Sequence, residues 1–422
     1  MKLSKVIDKN RLNFLIYGAG QAFNLVSPII IAPYIISICG IDSFGKIGLG
    51  FAYSLFLILI VDYAFDIKGT KKVAENRDYK DKIEQILFTT LYTKVVLLVF
   101  AYLIARILIF FVPIFHQEKD LFLLSFMVVF AQVFNPIWFL QGLEDFKASS
   151  IINILSKSFY VLFIFLFIQQ KSDYIWVNFF LGITALAFNW LGLFYIIRKY
   201  NFNFISFKIK AIKAIIINDF SFCISQLFLS LRQLSPLFLT SYFFGFSLAG
   251  QYKIIEQIIS LFRTFTQVYL KFFFPRLCYK ISFSRNEAII YWRKVLFVLF
   301  ISALIALTGI FIFAEKIVLY FNVAIEENLD IIVLMRFSLL IPLLMIFSLA
   351  LEQLMFAFNK NKKYIRSAIF VTIINVTLLL ILTPIYKLYG VICSIIIAEV
   401  FFIILYYKST LLNIHSIKSN AK

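Results

Sequence analysis

Charged residues are scarce in this chain of 422 residues, because Asp, Glu, Lys and Arg together make up only 15% of it. Soluble domains carry about 25% charged and about 45–50% apolar residues. This chain is 62% hydrophobic, and its mean hydropathy is +0.92. The shortage of charge excludes a soluble protein, and no polar segment is long enough to form a separate soluble domain. The composition predicts an all-α integral membrane protein.

Metal ligands and catalytic groups are also few. The chain has four cysteines, none of them in a C-x-x-C pair, and two histidines that are far apart, His116 and His415. Because zinc sites need clustered Cys and His ligands, we expect none here. The cysteines are interpreted as small packing residues. The chain also lacks a P-loop motif and a recognisable Ser/His/Asp set. We expect neither an enzyme nor a bound cofactor.

Long apolar segments are abundant. A helix needs about 20 apolar residues to cross the hydrocarbon core of a bilayer, and by this measure we predict about twelve spans. The first span is too long for the apolar region of a signal peptide, so it is interpreted as a retained helix. The approximate limits are 13–38, 45–65, 84–111, 121–140, 149–169, 175–197, 217–244, 252–274, 295–314, 330–357, 367–385 and 390–407.

The distribution of lysine and arginine predicts the orientation. With a cytoplasmic N-terminus, 29 of the 41 cations lie in segments that face the cytoplasm and six lie on the opposite side. Cytoplasmic loops of membrane proteins are enriched in Lys and Arg. We therefore predict a multi-pass membrane protein with both termini in the cytoplasm. The net charge of +19 is spread over loops rather than concentrated in a basic domain, so no nucleic-acid partner is expected.

The sequence contains a repeated motif. SPIIIAPY begins at Ser27 and SPLFLTSY begins at Ser235, which is 208 residues later. Each motif lies late in a span that runs outward, and each precedes a short glycine-containing loop, CGIDSFGK or GFSLAGQYK. Matching depth and direction indicate parallel repeats related by an axis along the membrane normal, as in several transporter folds.

The repeat predicts the domain organisation. We expect an N-terminal six-helix lobe over 1–200, a basic cytoplasmic linker over 201–216 and a C-terminal six-helix lobe over 217–422. The two lobes would be related by a pseudo-two-fold axis along the membrane normal. A substrate site is expected near the midplane, where the repeats meet.

Two arginines lie near the middle of neighbouring predicted spans. Arg232 and Arg263 are joined by a short connection, so we expect them at the same depth, where an arginine is unfavourable by roughly 2.5–3.5 kcal/mol. One interpretation is structural, with each arginine paired to a deep acid. The other is functional, with both lining a wet cavity for an anionic cargo, because the guanidinium fork suits phosphate. The candidate acids are Glu256, Glu352, Glu399, Asp62 and Asp219.

The other intramembrane cations are less centrally placed. Arg106, Lys271 and Arg336 lie close enough to a predicted interface for their side chains to reach it. Lys94 lies about 15 Å into its predicted span, at 1.5 Å per residue. For Lys94, an interfacial role and a cavity role are both open.

Three stretches resemble a known family. They are VDYAFDIKGTKKVAENRD at 61–78, NPIWFLQGLEDFK at 135–147 and AGQYKIIEQIISLFRTFTQVYLKFFFPRL at 249–277. They resemble the Wzx-type flippases of O-antigen and capsule repeat units. These flippases form the polysaccharide-transport branch of the multidrug/oligosaccharidyl-lipid/polysaccharide exporter superfamily.

The resemblance implies a flippase of the bacterial inner membrane that moves undecaprenyl-pyrophosphate-linked oligosaccharide from the cytoplasmic to the outer leaflet by alternating access. It implies substrate binding by Arg232 and Arg263, and more weakly by Lys94. Glu256 and Asp62 are candidates for ion coupling.

The basic loop that follows the second predicted span has two interpretations. Lys68, Lys71 and Lys72 either set only the orientation of the protein or capture the pyrophosphate at the cytoplasmic face. A polysaccharide polymerase and glycosyltransferases are candidate protein partners of such a flippase.

Three other functions are weighed. A multidrug exporter of the same superfamily would suit central acids better than central arginines. A lipid II flippase would also be expected to have a cationic cavity, but such flippases have a longer architecture with fourteen spans. A membrane glycosyltransferase or polymerase usually carries a large extramembrane region, and no predicted loop here exceeds about 20 residues.

Overall fold

In the computed structural model, every element of the described residues is helical. The structure describes residues 2–63, 65–204, 206, 209–323, 329–358 and 360–412. Short π-helical turns cover Phe65–Gly69 and Lys408–Leu412, and a 3₁₀ turn covers Lys171–Trp176. The α-helices are α1 (Lys2–Asp62), α2 (Thr70–Glu75), α3 (Lys80–Phe111), α4 (Pro113–Gln117), α5 (Lys119–Val133), α6 (Ile137–Gly142), α7 (Phe146–Phe167), α8 (Val177–Tyr200), α9 (Ile209–Phe283), α10 (Arg285–Ile312), α11 (Ala314–Tyr320), α12 (Leu329–Ser338), α13 (Leu340–Ala357) and α14 (Asn361–Tyr407).

Eight segments of the described residues are long and apolar enough to cross a membrane. This finding confirms the prediction of an all-α membrane protein. Two of the eight are much longer than the roughly 20 residues that one crossing needs. They are Phe23–Asp62, with 40 residues, and Lys362–Thr410, with 49 residues.

Three long helices contain a single residue that is not helical. These residues are Gly40 in α1 (φ 84°), Gly245 in α9 (φ 79°) and Lys387 in α14 (φ 51°). Glycine adopts positive φ without a steric penalty, because it has no Cβ. The prediction of loops at CGIDSFGK and GFSLAGQYK is therefore wrong. In each segment, helix continues on both sides of a single non-helical glycine.

Contacts across the breaks in α9 and α14 show that these helices fold back on themselves. In α14, Asn375 Nδ2 donates to the carbonyl of Ser394 at 3.1 Å, although 19 residues separate the two. A straight helix would place them about 28 Å apart, at 1.5 Å per residue. In α9, Arg232 and Arg263 line the same cavity. The two halves of each helix therefore lie side by side.

The chain divides into two compact units, Met1–Leu227 and Phe228–Lys422. The lobe limits predicted from the sequence, 1–200 and 217–422, stay predictions. Residues 209–216 of the predicted linker belong to α9, and residues 205 and 207–208 lie outside the described part of the chain.

Polar contacts between helices hold the N-terminal unit together. Tyr34 in α1 donates to the carbonyl of Ile168 at 2.8 Å. Further along α1, the Ser54 hydroxyl donates to the carbonyl of Ser125 in α5 at 2.8 Å. Such contacts matter because helices in lipid associate through packing and interhelical hydrogen bonds.

The first two stretches that carry the family resemblance pack against each other. The Thr70 hydroxyl donates to the carbonyl of Trp138 at 2.9 Å. A Cβ on Gly142 would lie 2.7 Å from Cβ of Val73, so α6 approaches α2 more closely than a side chain there would allow. The Trp138 side chain is buried in the same cluster. These two motifs therefore build the end of the N-terminal unit at which α3 begins.

Candidate functional site

Arg232 and Arg263 line one cavity in the C-terminal unit, because α9 folds back at Gly245. We call it the arginine cavity. Its volume is about 20 Å³, which is room for roughly one water molecule. A diphosphate group is much larger than this space in the conformation described. Its other lining residues are Gln233, Pro236, Tyr252, Glu256, Ile259, Asn375, Ile395, Ala398 and Glu399.

Arg232 is paired with an acid. Its Nη1 lies 3.3 Å from Oε1 of Glu399, and the other carboxylate oxygen accepts a hydrogen bond from the Ser348 hydroxyl at 2.5 Å. The guanidinium also lies 4.6 Å from the centroid of the Phe402 ring, close enough for a cation–π interaction. The Arg232 side chain is 22% exposed and that of Glu399 is 4% exposed. For Arg232, the observed pairing is the one that the structural interpretation predicted.

Arg263 differs from Arg232. Its Nε is buried and donates to no acceptor among the described residues. A buried donor without a partner is unfavourable by about 1–3 kcal/mol, and most such groups in native proteins do find an acceptor. The Arg263 guanidinium therefore has hydrogen-bonding capacity that the surrounding protein leaves unused.

Glu256, which was predicted to couple ions, also lines the arginine cavity. Its Oε2 lies 2.6 Å from Nζ of Lys253, three residues earlier in α9. Two arginines and two glutamates thus share the lining. Sequence reasoning missed this pair, although side chains three residues apart on a helix are neighbours.

Lys94 and Asp62 form a buried ion pair in the N-terminal unit. Nζ of Lys94 lies 2.7 Å from Oδ1 of Asp62, and Gln132 Nε2 donates to Oδ2 of Asp62 at 2.7 Å. The Lys94 side chain is only 1% exposed. The sequence predicted separate roles for these two residues, substrate binding and coupling, and it missed both their pairing and the contribution of Gln132.

A second and larger cavity opens where α3 and α9 begin. We call it the lysine cavity, after Lys68, Lys72 and Lys82, and its volume is about 420 Å³. Lys68 is paired with Asp219 at 2.5 Å. Sequence reasoning missed Lys82, whose only signal was its position in the first turn of α3. The other lining residues are Phe65, Gly69, Asn76, Gln85, Ile86, Thr89, Thr90, Ala211, Ala214, Ile215 and Asp219.

Lys71 does not line the lysine cavity. Its side chain is exposed, and its Nζ lies 3.7 Å from Oε1 of Glu75, one helical turn later. Adjacent residues on a helix point about 100° apart, because there are 3.6 residues per turn. This is why Lys72 lines the cavity and its neighbour does not.

Long apolar helices with charged groups buried among them are typical of polytopic membrane proteins, in which such groups often mark substrate or ion pathways. Two solved structures share the fold at low identity. A multidrug resistance MATE family transporter of the MOP superfamily, in an inward-facing conformation, has a TM-score of 0.73 and 15% identity, with 96% of each chain covered. The lipid II flippase MurJ, in an inward closed conformation, has a TM-score of 0.74 and 13% identity over 94% of this chain and 87% of that one.

Sequence comparison identifies the family. The family described as "Polysaccharide biosynthesis protein" matches residues 11–279, and this chain belongs to it. A protein of Escherichia coli strain K12 named "Putative O-antigen transporter" is 22% identical over 391 residues, which is 92% of this chain and 94% of that protein. These matches confirm the family resemblance drawn from the three sequence stretches.

Proposed function

We propose that this protein is a flippase that moves undecaprenyl-pyrophosphate-linked oligosaccharide from the cytoplasmic to the outer leaflet of the bacterial inner membrane. The observation that carries the proposal is the arginine cavity, where Arg232 and Arg263 meet inside a chain of this family. Deep ionisable residues in membrane proteins mark substrate and ion pathways. Arginine suits a diphosphate because its planar fork donates two parallel hydrogen bonds.

The proposed topology has about twelve crossings in two six-helix lobes. Three helices with an internal break, α1, α9 and α14, would each cross twice. The remaining crossings would be α3, α5 with α6, α7, α8, α10 and α12 with α13. Both termini would be cytoplasmic, in keeping with the bias of Lys and Arg.

The proposed binding step is an exchange of partners at Arg232. A diphosphate would compete with the Glu399 carboxylate for this guanidinium and would use the Nε donor that Arg263 leaves unpaired. Because the arginine cavity has room for only about one water molecule, it would have to widen before the cargo enters. All of its lining residues lie in the C-terminal unit, so the widening would come from a rearrangement within that unit. Rocking of the two lobes would provide the alternating access, while the polyprenyl tail stays in the lipid.

The proposed coupling step is protonation of a paired acid. Asp62 is held by Lys94, and Glu256 is held by Lys253. A proton on either carboxylate would break its ion pair and leave a lysine without a counter-ion. Lys94 is engaged by Asp62 in this conformation, so its predicted contact with the cargo would require that pair to open.

The lining of the arginine cavity also supports an alternative function, drug export. Glu256 and Glu399 are acids in the arginine cavity, and acids would suit the cationic cargo of a multidrug exporter. We keep drug export as the second candidate. A polysaccharide polymerase and glycosyltransferases remain the proposed protein partners.

Complementation of a flippase-deficient strain tests the proposal, with surface polysaccharide as the readout. We expect wild-type protein to restore the polysaccharide, Arg232→Ala and Arg263→Ala to abolish it, and Arg→Lys at either position to retain most of it. Arg336→Ala is the control, because the Arg336 Nε donates to a backbone carbonyl, that of Phe311, at 3.2 Å. Full activity of both alanine variants at wild-type expression would refute the role of the cavity.

Drug susceptibility of the same strain separates the two candidates. If the protein restored drug resistance but not surface polysaccharide, the flippase function would be rejected in favour of drug export.

A further inference from the structure

The lysine cavity lies where a lipid-linked substrate would first meet the protein. Its lining comes from the π-helical turn after α1, α2 with its C-cap, the first three turns of α3 and the start of α9. The predicted topology puts these helix ends at the cytoplasmic surface of the membrane. At about 420 Å³, the cavity falls within the usual range of about 300–1,000 Å³ for small-molecule sites.

The charges of the lysine cavity suit a doubly charged anion. Lys68, Lys72 and Lys82 line it together with one acid, Asp219. Three cations and one anion leave a net charge of +2. A diphosphate that links a lipid to a sugar carries one negative charge on each phosphate, so cavity and ligand would neutralise each other.

Two of the three lysines are available to a ligand. Neither Lys72 nor Lys82 pairs with any acid in the described part of the chain, whereas Asp219 engages Lys68. Nζ of Lys82 lies 4.4 Å from the centroid of the Tyr79 ring, which leaves its donors free for an anion. The amides of Asn76 and Gln85 and the hydroxyls of Thr89 and Thr90 provide uncharged hydrogen-bonding groups in the same lining.

Apolar side chains in the lining of the lysine cavity favour a ligand attached to a lipid. Phe65, Ile86 and Ile215 line the cavity together with the lysines. A soluble diphosphate would leave these apolar groups uncovered, whereas a polyprenyl chain would cover them and gain about 25 cal/mol per Å² of apolar surface removed from water.

We propose that the lysine cavity binds the diphosphate group of the lipid-linked substrate before that group reaches the arginine cavity. This inference rests on the proposed flippase function. Lys72 and Lys82 bind the phosphates, and Asp219 holds Lys68 until the incoming anion displaces it. The sequence left open whether Lys68, Lys71 and Lys72 set only the orientation of the protein or capture the pyrophosphate at this face. The lysine cavity favours capture by Lys72 together with Lys82.

A binding measurement tests this site. The full-length protein is placed in nanodiscs of uncharged phosphatidylcholine and titrated with farnesyl diphosphate, a short-chain lipid diphosphate. We expect the double variant Lys72→Gln/Lys82→Gln to bind at least about tenfold more weakly than wild type, because two charge-assisted contacts are lost. The matched control is Lys80→Gln/Lys147→Gln, which removes the same charge from exposed positions outside the lysine cavity. The control should bind as wild type does.

Two further titrations identify the ligand. Farnesol tests the need for phosphate and should not bind at the same concentration. Inorganic pyrophosphate tests the need for the lipid and should bind at least about tenfold more weakly than farnesyl diphosphate, since it cannot cover the apolar side chains of the lining. Pyrophosphate binding as tight as that of farnesyl diphosphate would overturn the assignment to a lipid-linked ligand.

Two other results would overturn the proposal: undiminished binding by Lys72→Gln/Lys82→Gln, or an equal loss in the control pair. Both double variants are checked for wild-type melting temperature. Complementation by wild-type protein is scored separately. If wild type complements and the double variant binds normally, only the lysine cavity fails. If wild type does not complement, the flippase function fails while the titration still reports on the cavity.

Discussion

The two units bury cations in different ways. In the N-terminal unit, Lys94 is enclosed, and both carboxylate oxygens of its partner Asp62 accept hydrogen bonds. In the C-terminal unit, Arg232 is partly exposed, and Arg263 keeps a buried donor that bonds to nothing among the described residues. A buried ion pair is tolerated when its geometry satisfies the remaining polar groups. The comparison indicates that the ion pair of the N-terminal unit is fully hydrogen-bonded in this conformation. The C-terminal unit instead keeps an unpaired Arg263 donor that is available to a ligand.

The largest effect should follow from breaking the enclosed pair. Lys94→Ala leaves the Asp62 carboxylate buried without a counter-ion, so we expect a loss of about 3–5 kcal/mol in stability. Thermal unfolding of the purified protein in detergent measures it. Lys94→Met combined with Asp62→Leu removes both charges and should recover most of the loss. Equal stability of the single and double variants would contradict the structural interpretation of this pair.

The corresponding change in the C-terminal unit should have a smaller effect. Glu399→Ala removes the acid beside Arg232, but the guanidinium keeps some exposure to water and its contact with Phe402. We expect a loss of about 1–2 kcal/mol, typical of a hydrogen bond to a charged group. The same unfolding assay applies, with Ser348→Ala as the control that retains the ion pair. A loss as large as that of Lys94→Ala would remove the distinction between the two units.

The break in α9 brings the two arginines together, and it can be weakened without touching either. Gly245→Ala places a Cβ on a backbone with φ 79° and ψ −172°, a region that is essentially restricted to glycine, at a cost of roughly 1–3 kcal/mol. Space is not limiting there, since no atom lies within 4 Å of the added Cβ. Gly309→Ala is the matched control. This glycine lies inside the regular helix α10, also in open space.

The control should stabilise the protein by about 0.5–1 kcal/mol, because alanine is the better helix former. Unfolding midpoints of the two variants should therefore move in opposite directions. A shift in the same direction would show that the backbone at Gly245 is not strained by a side chain.

The smallest effect is expected at a surface counterpart of these pairs. Asp145 caps α7 by accepting from the amide of Ala148 at 3.2 Å, and it also accepts from Lys199 Nζ at 2.7 Å and the Tyr195 hydroxyl at 3.0 Å. Partial burial opposes ionisation of Asp145, but hydrogen bonds from Lys199, Ala148 and Tyr195 outweigh it and lower the pKa of the carboxyl. The ionised form is therefore favoured by folding.

Stability from Asp145 should be present above the unfolded-state pKa of about 4 and should be lost as the pH falls through the lower folded pKa. Asp145→Asn keeps an oxygen that can cap α7 but removes the charge that pairs with Lys199, so it should lower stability by about 0.2–1 kcal/mol at pH 7, as for an exposed ion pair. The difference from wild type should shrink at the lowest pH that the protein tolerates. A difference that grows on acidification would contradict this sign.

The sequence predicted that Arg232 and Arg263 lie close together, because they are in neighbouring spans that a short connection joins. It did not predict which acid would pair with Arg232. Three deep glutamates were candidates, and the observed partner, Glu399, is 167 residues away. Likewise Lys94 and Asp62 were assigned separately, and Lys82 was not assigned at all. Local spacing indicates what shares a helix face, whereas contacts between distant helices depend on how those helices pack.

Composition and the length of the apolar runs were sufficient for the class of protein, since a bilayer accepts only backbones that satisfy their own hydrogen bonds. The family also followed from short stretches of sequence. The partners of most buried charges could be identified only from the packed structure. Spacing along the chain can indicate a partner on the same helix, as for Lys253 and Glu256. It cannot identify a partner on a distant helix, such as Glu399 for Arg232, because that pairing depends on how the helices pack.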